Sequence, residues 1–195
     1  MDNFRTEEIA PPPTRSVWIR FLLETLQTVI LAVVLYFIID SVVARVRVEN
    51  ISMEPTLQPE EFVLVNKVVY KFGEVRHGDI IVFHFPQNQA EDYIKRIIGV
   101  SGDTVVIKNQ HVYINNQMIE ENYIAAPPDY NGQWVVPKDS LFVLGDNRNQ
   151  SSDSHSWGFV PMNLVVGKAE VIYWPFNQVK SLNQPFVVKA ANGNQ

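Results

Sequence analysis

Apolar positions along the chain follow three successive patterns. The first sixteen residues are polar and proline-rich, with Pro11-Pro12-Pro13 among scattered acids and arginines, and read as a mobile tail. Residues 21–39 are mostly apolar, and 29–39 are unbroken. A bilayer core of about 30 Å takes roughly 20 residues of helix, so this stretch spans one if its polar residues lie at an interface. Glu24, Gln27 and Thr28 share an i, i+3, i+4 stripe, which suits the headgroup end. Beyond Ala44 the period becomes two. Residues 45–48, 62–65, 79–83, 93–100, 104–107, 111–114, 141–144 and 167–174 read as short strands between Gly, Asn, Asp and Pro turns. Lys108-Asn109-Gln110 and Asn115-Asn116 read as hairpin corners, and residues 191–195 as a frayed end. The pattern predicts a mainly β protein: an antiparallel sheet domain with one N-terminal transmembrane helix.

Two other readings of the apolar stretch compete with a membrane anchor. A cleaved signal peptide has a basic start, a short apolar region and a small residue at the cut, and 29–39 followed by Val42-Val43-Ala44 fits loosely. The long acidic lead-in and Asp40 directly after the apolar region speak against it. A buried core helix is the other. The uncleaved anchor fits best, with residues 1–16 as a tail, 17–43 as the transmembrane signal-anchor helix and 44–195 as the β domain. Arginines barely decide the orientation. Arg15 and Arg20 before the span balance Arg45 and Arg47 after it, and Arg5 tips the count toward an inside N-terminus.

Composition narrows the chemistry. At 195 residues there is room for one domain of ordinary size plus an appendage. A formal net charge of -5 leaves no basic footprint, so nucleic acid is not an expected partner. No cysteine is present, which excludes disulfides and thiolate metal sites. The four histidines lack ligand spacing, and neither metal nor organic cofactor is expected.

Three blocks carry candidate catalytic residues. Ser52-Met53-Glu54-Pro55-Thr56-Leu57 closely follows the apolar stretch; Tyr93-Ile94-Lys95-Arg96-Ile97-Ile98-Gly99 lies on a predicted strand; Gly145-Asp146-Asn147-Arg148 precedes Ser151, Asp153 and Ser154. A serine hydroxyl attacks only when a base takes its proton. His155, with Asp153 beside it, would be the usual base. Their i, i+2 spacing argues against an orienting hydrogen bond. Lys95 is the stronger candidate. On a strand it shares a face with Tyr93 and Ile97, and lost hydration there favours the neutral amine that can accept a proton. An arbitrary strand lysine would instead snorkel to solvent. The Gly145 block, taken alone, reads as a polar turn whose Asp and Asn satisfy backbone amides.

Together the blocks resemble the type I signal peptidases, membrane-anchored serine proteases that use lysine as their base. The resemblance covers most of residues 48–161 and implies cleavage of signal peptides from exported preproteins. It places the large domain on the extracytoplasmic side of the cell membrane or a thylakoid membrane. It makes Ser52 the nucleophile, Lys95 the base, Ser151 the residue that hydrogen-bonds the lysine amine, and Asp153 and His155 supports of the site. Many members have Arg where this chain has His155, and this variant, with Trp157-Gly158, resembles cyanobacterial and plastid members. At Asn50 many members have Ser, which helps hold the oxyanion. The backbone N–H of Ser52 is one expected donor, and the Asn50 amide is either the second or only a shaper of the turn. Val48, Met53, Leu57, Tyr93 and Ile94 match positions that line small apolar substrate pockets. Ile51, Met53 and Trp174 are expected to touch lipid. Two rivals remain: a soluble self-cleaving repressor-type peptidase with the same Ser/Lys pair, against which the apolar stretch speaks, and a membrane-tethered β module that binds without cutting.

Overall fold

The computed structural model describes residues 15–183 and 187–188. The expected tail falls outside the described residues except at 15 and 16, and the expected frayed end falls outside them entirely. The chain forms two compact units, one through residue 41 and one from residue 42.

The first unit is a single helix, α1 (Arg15–Val42), starting two residues before the predicted span and ending one residue before its predicted end. No Gly or Pro interrupts it. Thr25 and Thr28 donate their hydroxyls back to the carbonyls of Phe21 and Glu24, which satisfies them without water. Phe21, Leu31 and Ile39 are all exposed, contrary to a core helix. The stretch Val17–Val42 is long and apolar enough to cross a membrane.

The second unit is built of antiparallel strands: β1 (Val43–Arg47), β2 (Phe62–Asn66), β3 (Ile80–Phe85), β4 (Asn88–Gly99), β5 (Thr104–Lys108), β6 (His111–Ile114), β7 (Gln117–Glu120), β8 (Gly132–Val135), β9 (Ser140–Leu144), β10 (Val160–Pro161), β11 (Val165–Trp174), β12 (Lys180–Ser181) and β13 (Val187–Val188). Two short helices, α2 (Val69–Phe72) and α3 (Ser154–Trp157), interrupt them. One sheet runs β1-β2-β11-β3-β4-β9-β10 with β12 beside β11, and the other runs β13-β7-β6-β5-β8. All eight expected strands are present. The sequence reading missed β7 and β8, whose residues are largely polar or preceded by loop residues, and the two-residue strands β10, β12 and β13.

Both expected hairpin corners are two-residue turns. Asn109 and Gln110 have φ of 51° and 64°, and Asn115 and Asn116 have 50° and 67°. The flanking pairs are Lys108 with His111 and Ile114 with Gln117. Positive φ at both central residues matches strand twist, and Asn tolerates it better than most residues.

The unbroken apolar run in β9 follows from cover on both faces. Leu141 and Val143 pack with Ile81, Phe83 and Ile97, whereas Phe142 and Leu144 pack with Ile98 of β4 and with Val105 and Val112 of the second sheet. A third cluster joins Val48, Met53, Leu57, Val63, Ile80 and Ile172, with Ile94 against it. That cluster anchors the segment that carries Ser52.

Candidate active site

Ser52 owes its position to what flanks it. After β1, the Val48 N–H donates to the Glu61 carbonyl at 2.8 Å and the Val48 carbonyl accepts from Glu60 N–H at 2.8 Å. Asn50 stays extended, and Ile51–Met53 form one turn of 3-10 helix that Pro55 cannot prolong. Met53 and Leu57 are fully buried and pull the turn down onto the core. Ser52 is left 8% exposed at the floor of a cleft of about 710 Å³.

Lys95 reaches the same point from β4. Its Nζ lies 2.7 Å from Ser52 Oγ and 3.0 Å from the Ile94 carbonyl. The amine also sits 5.3 Å from the Tyr93 ring centroid. With the residue only 4% exposed, burial lowers the Lys95 pKa to about 8, against the opposing pull of the Asp153 and Asp146 carboxylates. A lysine with that pKa is neutral in roughly one molecule in ten at pH 7, enough to act as a base.

The third block holds the first in place. Asn147 donates its N–H to the Ser52 carbonyl at 3.1 Å and its Nδ2 to the Ile51 carbonyl at 3.2 Å. A Cβ at Gly145 would collide with the Ser52 carbonyl and with Ser151 Oγ, so glycine is required there. Ser151 corrects one expectation. Its Oγ is buried against Gly145 and makes no hydrogen bond, while Lys95 is held by Ser52 and its own neighbour's carbonyl.

Asp153 and His155 correct another. They are hydrogen-bonded, Nδ1 to Oδ1 at 2.6 Å, despite the i, i+2 spacing. Asp153 caps α3 and accepts the His155 N–H at 3.2 Å, which folds the histidine ring back over the carboxylate. The other Asp153 oxygen accepts the Gly145 N–H at 2.9 Å. The pair therefore has the orienting bond of a triad, yet Ser52 is bonded to Lys95, and neither Asp153 nor His155 lines the cleft.

One polar centre was missed. Asp146 is fully buried and accepts Arg96 Nε at 2.8 Å and Arg96 Nη2 at 2.6 Å, together with the Thr56 hydroxyl. The Asp of the third block thus ties the Arg beside Lys95 to the Thr of the first. It serves a guanidinium rather than the backbone amides expected of a turn. Its signal in the sequence was one residue of this set in each block, a relation that strand alternation alone does not reveal. Arg148, also buried, is held by Glu121.

Val46 to Ser52 line one wall of the cleft and Ala90 to Lys95 the other. Of the residues matched to substrate pockets, Val48, Tyr93 and Ile94 line the cleft, and Met53 and Leu57 lie beneath it in the core. Asn50 is exposed on the wall and its side chain makes no capping bond. The N–H of Ser52 precedes the first bond of its turn, Glu54 N–H to the Ile51 carbonyl at 3.0 Å, so helix geometry assigns it no partner. With Asn50 as the second oxyanion donor, Asn50→Ala is expected to lower kcat by ~10²-fold with KM little changed, and Asn50→Ser to keep most activity. Equal rates for wild type and Asn50→Ala would assign Asn50 to turn geometry alone. Among the described residues no group of three or more His, Asp or Glu is placed to hold a metal.

A family model described as signal peptidase, peptidase S26, matches residues 19–174. A signal peptidase I from Leptolyngbya laminosa is 46% identical over 175 residues, covering 84% of this chain and 85% of that one. A probable signal peptidase I-2 from Synechocystis is 42% identical over 86% of this chain and 78% of its own length. A signal peptidase I from Bacillus caldolyticus is 39% identical over 73% and 90%. The match spans the apolar helix and all three blocks, and the chain belongs to the peptidase S26 family of signal peptidases.

Proposed function

We infer that this chain cleaves signal peptides from preproteins at a membrane surface, with Ser52 as nucleophile and Lys95 as general base. The observation that carries this is the 2.7 Å approach of Lys95 Nζ to Ser52 Oγ at the floor of a cleft. Neutral Lys95 takes the hydroxyl proton as Ser52 Oγ attacks the scissile carbonyl. The resulting oxyanion is stabilised by the Ser52 N–H and the Asn50 amide. Lys95 ammonium then returns the proton to the departing amine, leaving an acyl-Ser52 ester. Lys95 activates the water that hydrolyses it.

Substrate enters as an extended strand. β1 pairs only with β2, and β9 pairs with β4 only at Arg96, Ile97 and Gly99 among the described residues. The cleft therefore lies between two strand edges whose backbone groups suit an added peptide. Val48, Val82 and Ile94 line it with apolar side chains, and small apolar pockets accept Ala and exclude bulk through clash.

Residues 1–16 form the cytoplasmic tail, the helix over 17–43 is retained as the anchor, and residues 44–195 act on the extracytoplasmic side of a cell or thylakoid membrane. Exposed Ile51 and Trp174, the latter in edge contact with exposed Phe176, supply apolar surface for lipid contact. Met53 is fully buried and takes no part in it. Ser151 and Asp153 keep supporting roles around Gly145, and His155 supports Asp153. No cofactor takes part.

The test is mass spectrometry of the products from a preprotein with Ala at its cleavage positions. Wild type is expected to cut once, after the last of those Ala residues. Ser52→Ala is expected to lose the activity with an unchanged unfolding midpoint, because only a hydroxyl is removed. Near-normal cutting by the variant would move the nucleophile elsewhere.

A further inference from the structure

Beyond β7, residues 121–130 contact the loop of the third block (residues 145–155, the catalytic loop) and Arg96 of β4 at separate points. The Glu121 carboxylate accepts both terminal nitrogens of Arg148. The Tyr123 ring faces Arg96, with 3.9 Å between guanidinium carbon and ring centroid. Asn149 donates to the Pro127 carbonyl and accepts from the Asp129 N–H, each at 3.0 Å. Finally the Tyr130 ring stacks on His155, with centroids 4.0 Å apart and planes 14° apart.

This last contact leads toward the base. His155 Nδ1 lies 2.6 Å from one Asp153 oxygen, and the other takes the Gly145 N–H. Gly145 is packed so closely on the Ser52 carbonyl and Ser151 that a methyl group would not fit. Asp153 is also the carboxylate that acts most strongly on Lys95. The ring of Tyr130 carries the contact, since its hydroxyl oxygen is buried without a hydrogen-bond partner.

We propose that Tyr130 is a positioning residue for the catalytic pair: its ring, stacked on His155, holds Asp153 and the Gly145 turn in register with Ser52 and Lys95. The role belongs to a face-to-face ring contact, so Phe can fill it and an aliphatic side chain cannot. Loss of the stack frees His155 and then Asp153, and a nucleophile displaced by a fraction of an ångström loses rate without losing substrate affinity. Lys95 is faced by Asp153 and Asp146 from the third block, by Ser52, and by the Tyr93 ring of its own strand. Burial outweighs these carboxylates in setting its protonation. A loosened loop readmits water, and the acid limb of the rate profile moves toward higher pH.

The proposal rests on the assignment of Ser52 and Lys95 above, and one experiment separates the two. Full-length protein in detergent micelles is assayed on a preprotein across pH 6 to 10 for wild type, Tyr130→Leu, Tyr130→Phe, His155→Leu and the double Leu variant, with Ser52→Ala alongside. Tyr130→Leu is expected to lower kcat about tenfold or more, keep KM within about twofold, and raise the acid limb. Tyr130→Phe restores most of the rate. The double variant is no slower than His155→Leu, because both single changes remove one stack. Should Tyr130→Leu fold poorly, His155→Leu removes the same stack from its other side, together with the ring's bond to Asp153, and must show at least as large a loss with the shift in the same direction. Additive losses, equal loss in Tyr130→Phe and Tyr130→Leu, or wild-type kcat and acid limb in the single Leu variants would each overturn the proposal. A Ser52→Ala protein that still cuts overturns the assignment beneath it. An inactive Ser52→Ala beside a fully active Tyr130→Leu overturns the positioning role alone.

Discussion

Lys95→Met is expected to abolish cleavage and, at pH 7, to make the protein more stable by roughly 1–3 kcal/mol. The amine is 4% exposed and its pKa falls from 10.5 to about 8, chiefly through burial. Each unit of depression corresponds to about 1.4 kcal/mol against the fold while the lysine is charged in the unfolded chain. Folded and unfolded lysine are both protonated below pH 8, so the full cost is present there. It fades as pH rises from 8 to 10.5, where the unfolded chain binds the proton that the fold has already released, and it is gone above. Methionine keeps the stem and removes the cost, though it also removes the bonds to Ser52 Oγ and the Ile94 carbonyl, which sets the lower end of the range. The gain in stability should therefore shrink between pH 8 and pH 10.5. Lys95→Arg should be folded and inactive, since a guanidinium does not deprotonate in a protein. Denaturant unfolding at several pH values, paired with a cleavage assay, checks both halves. A markedly destabilised or still active Lys95→Met would make Lys95 a structural residue.

Asp146→Ala is expected to carry the largest stability loss, about 3–5 kcal/mol, and to remove activity with it. Asp146 and Arg96 are fully buried, joined through Arg96 Nε and Nη2, with the Thr56 hydroxyl on the same carboxylate. Removing the acid strands a charge with no route to water, which is the costly way to break a buried pair. Arg96 retains the Gly78 carbonyl at 3.0 Å and the Tyr123 face, which do not neutralise it. The contrast within the same domain is Arg47 with Glu60, an exposed pair in which Glu60→Ala should change stability by less than about 1 kcal/mol. A shift in denaturant midpoint for Asp146→Ala no larger than that for Glu60→Ala would show that Arg96 is satisfied by other means.

What could be read in advance follows from how local each feature is. Strand period, hairpin corners and the apolar helix are short-range properties, and they emerged within a residue or two at most ends. Lys95 was a candidate because its neighbours on one strand face, Tyr93 and Ile97, are consistent with desolvation and because the block around it resembles the family's motif; an isolated strand lysine would not have stood out. Features that depend on how loops fold back were harder. The hydrogen bond between Asp153 and His155 exists because Asp153 caps a single helical turn, a geometry that residue spacing does not disclose. Met53 and Leu57 match pocket positions, yet their burial is set by Val63 and Ile172 from distant strands. The clamp from residues 121–130 was not legible at all, since Glu121, Tyr123 and Tyr130 meet the catalytic loop only after the second sheet has packed on the first.

The most direct test of Lys95 as the base is the pH dependence of kcat/KM for the wild-type protein on a preprotein between pH 6 and 10. Essential groups of the free enzyme set this profile. A lysine that must be neutral, with a pKa of about 8, predicts a tenfold rise per pH unit on the acid side that levels off near pH 8. A limb near the ordinary histidine value of about 6.5, or a profile flat from pH 7 to 9, would contradict it and move the base to another residue.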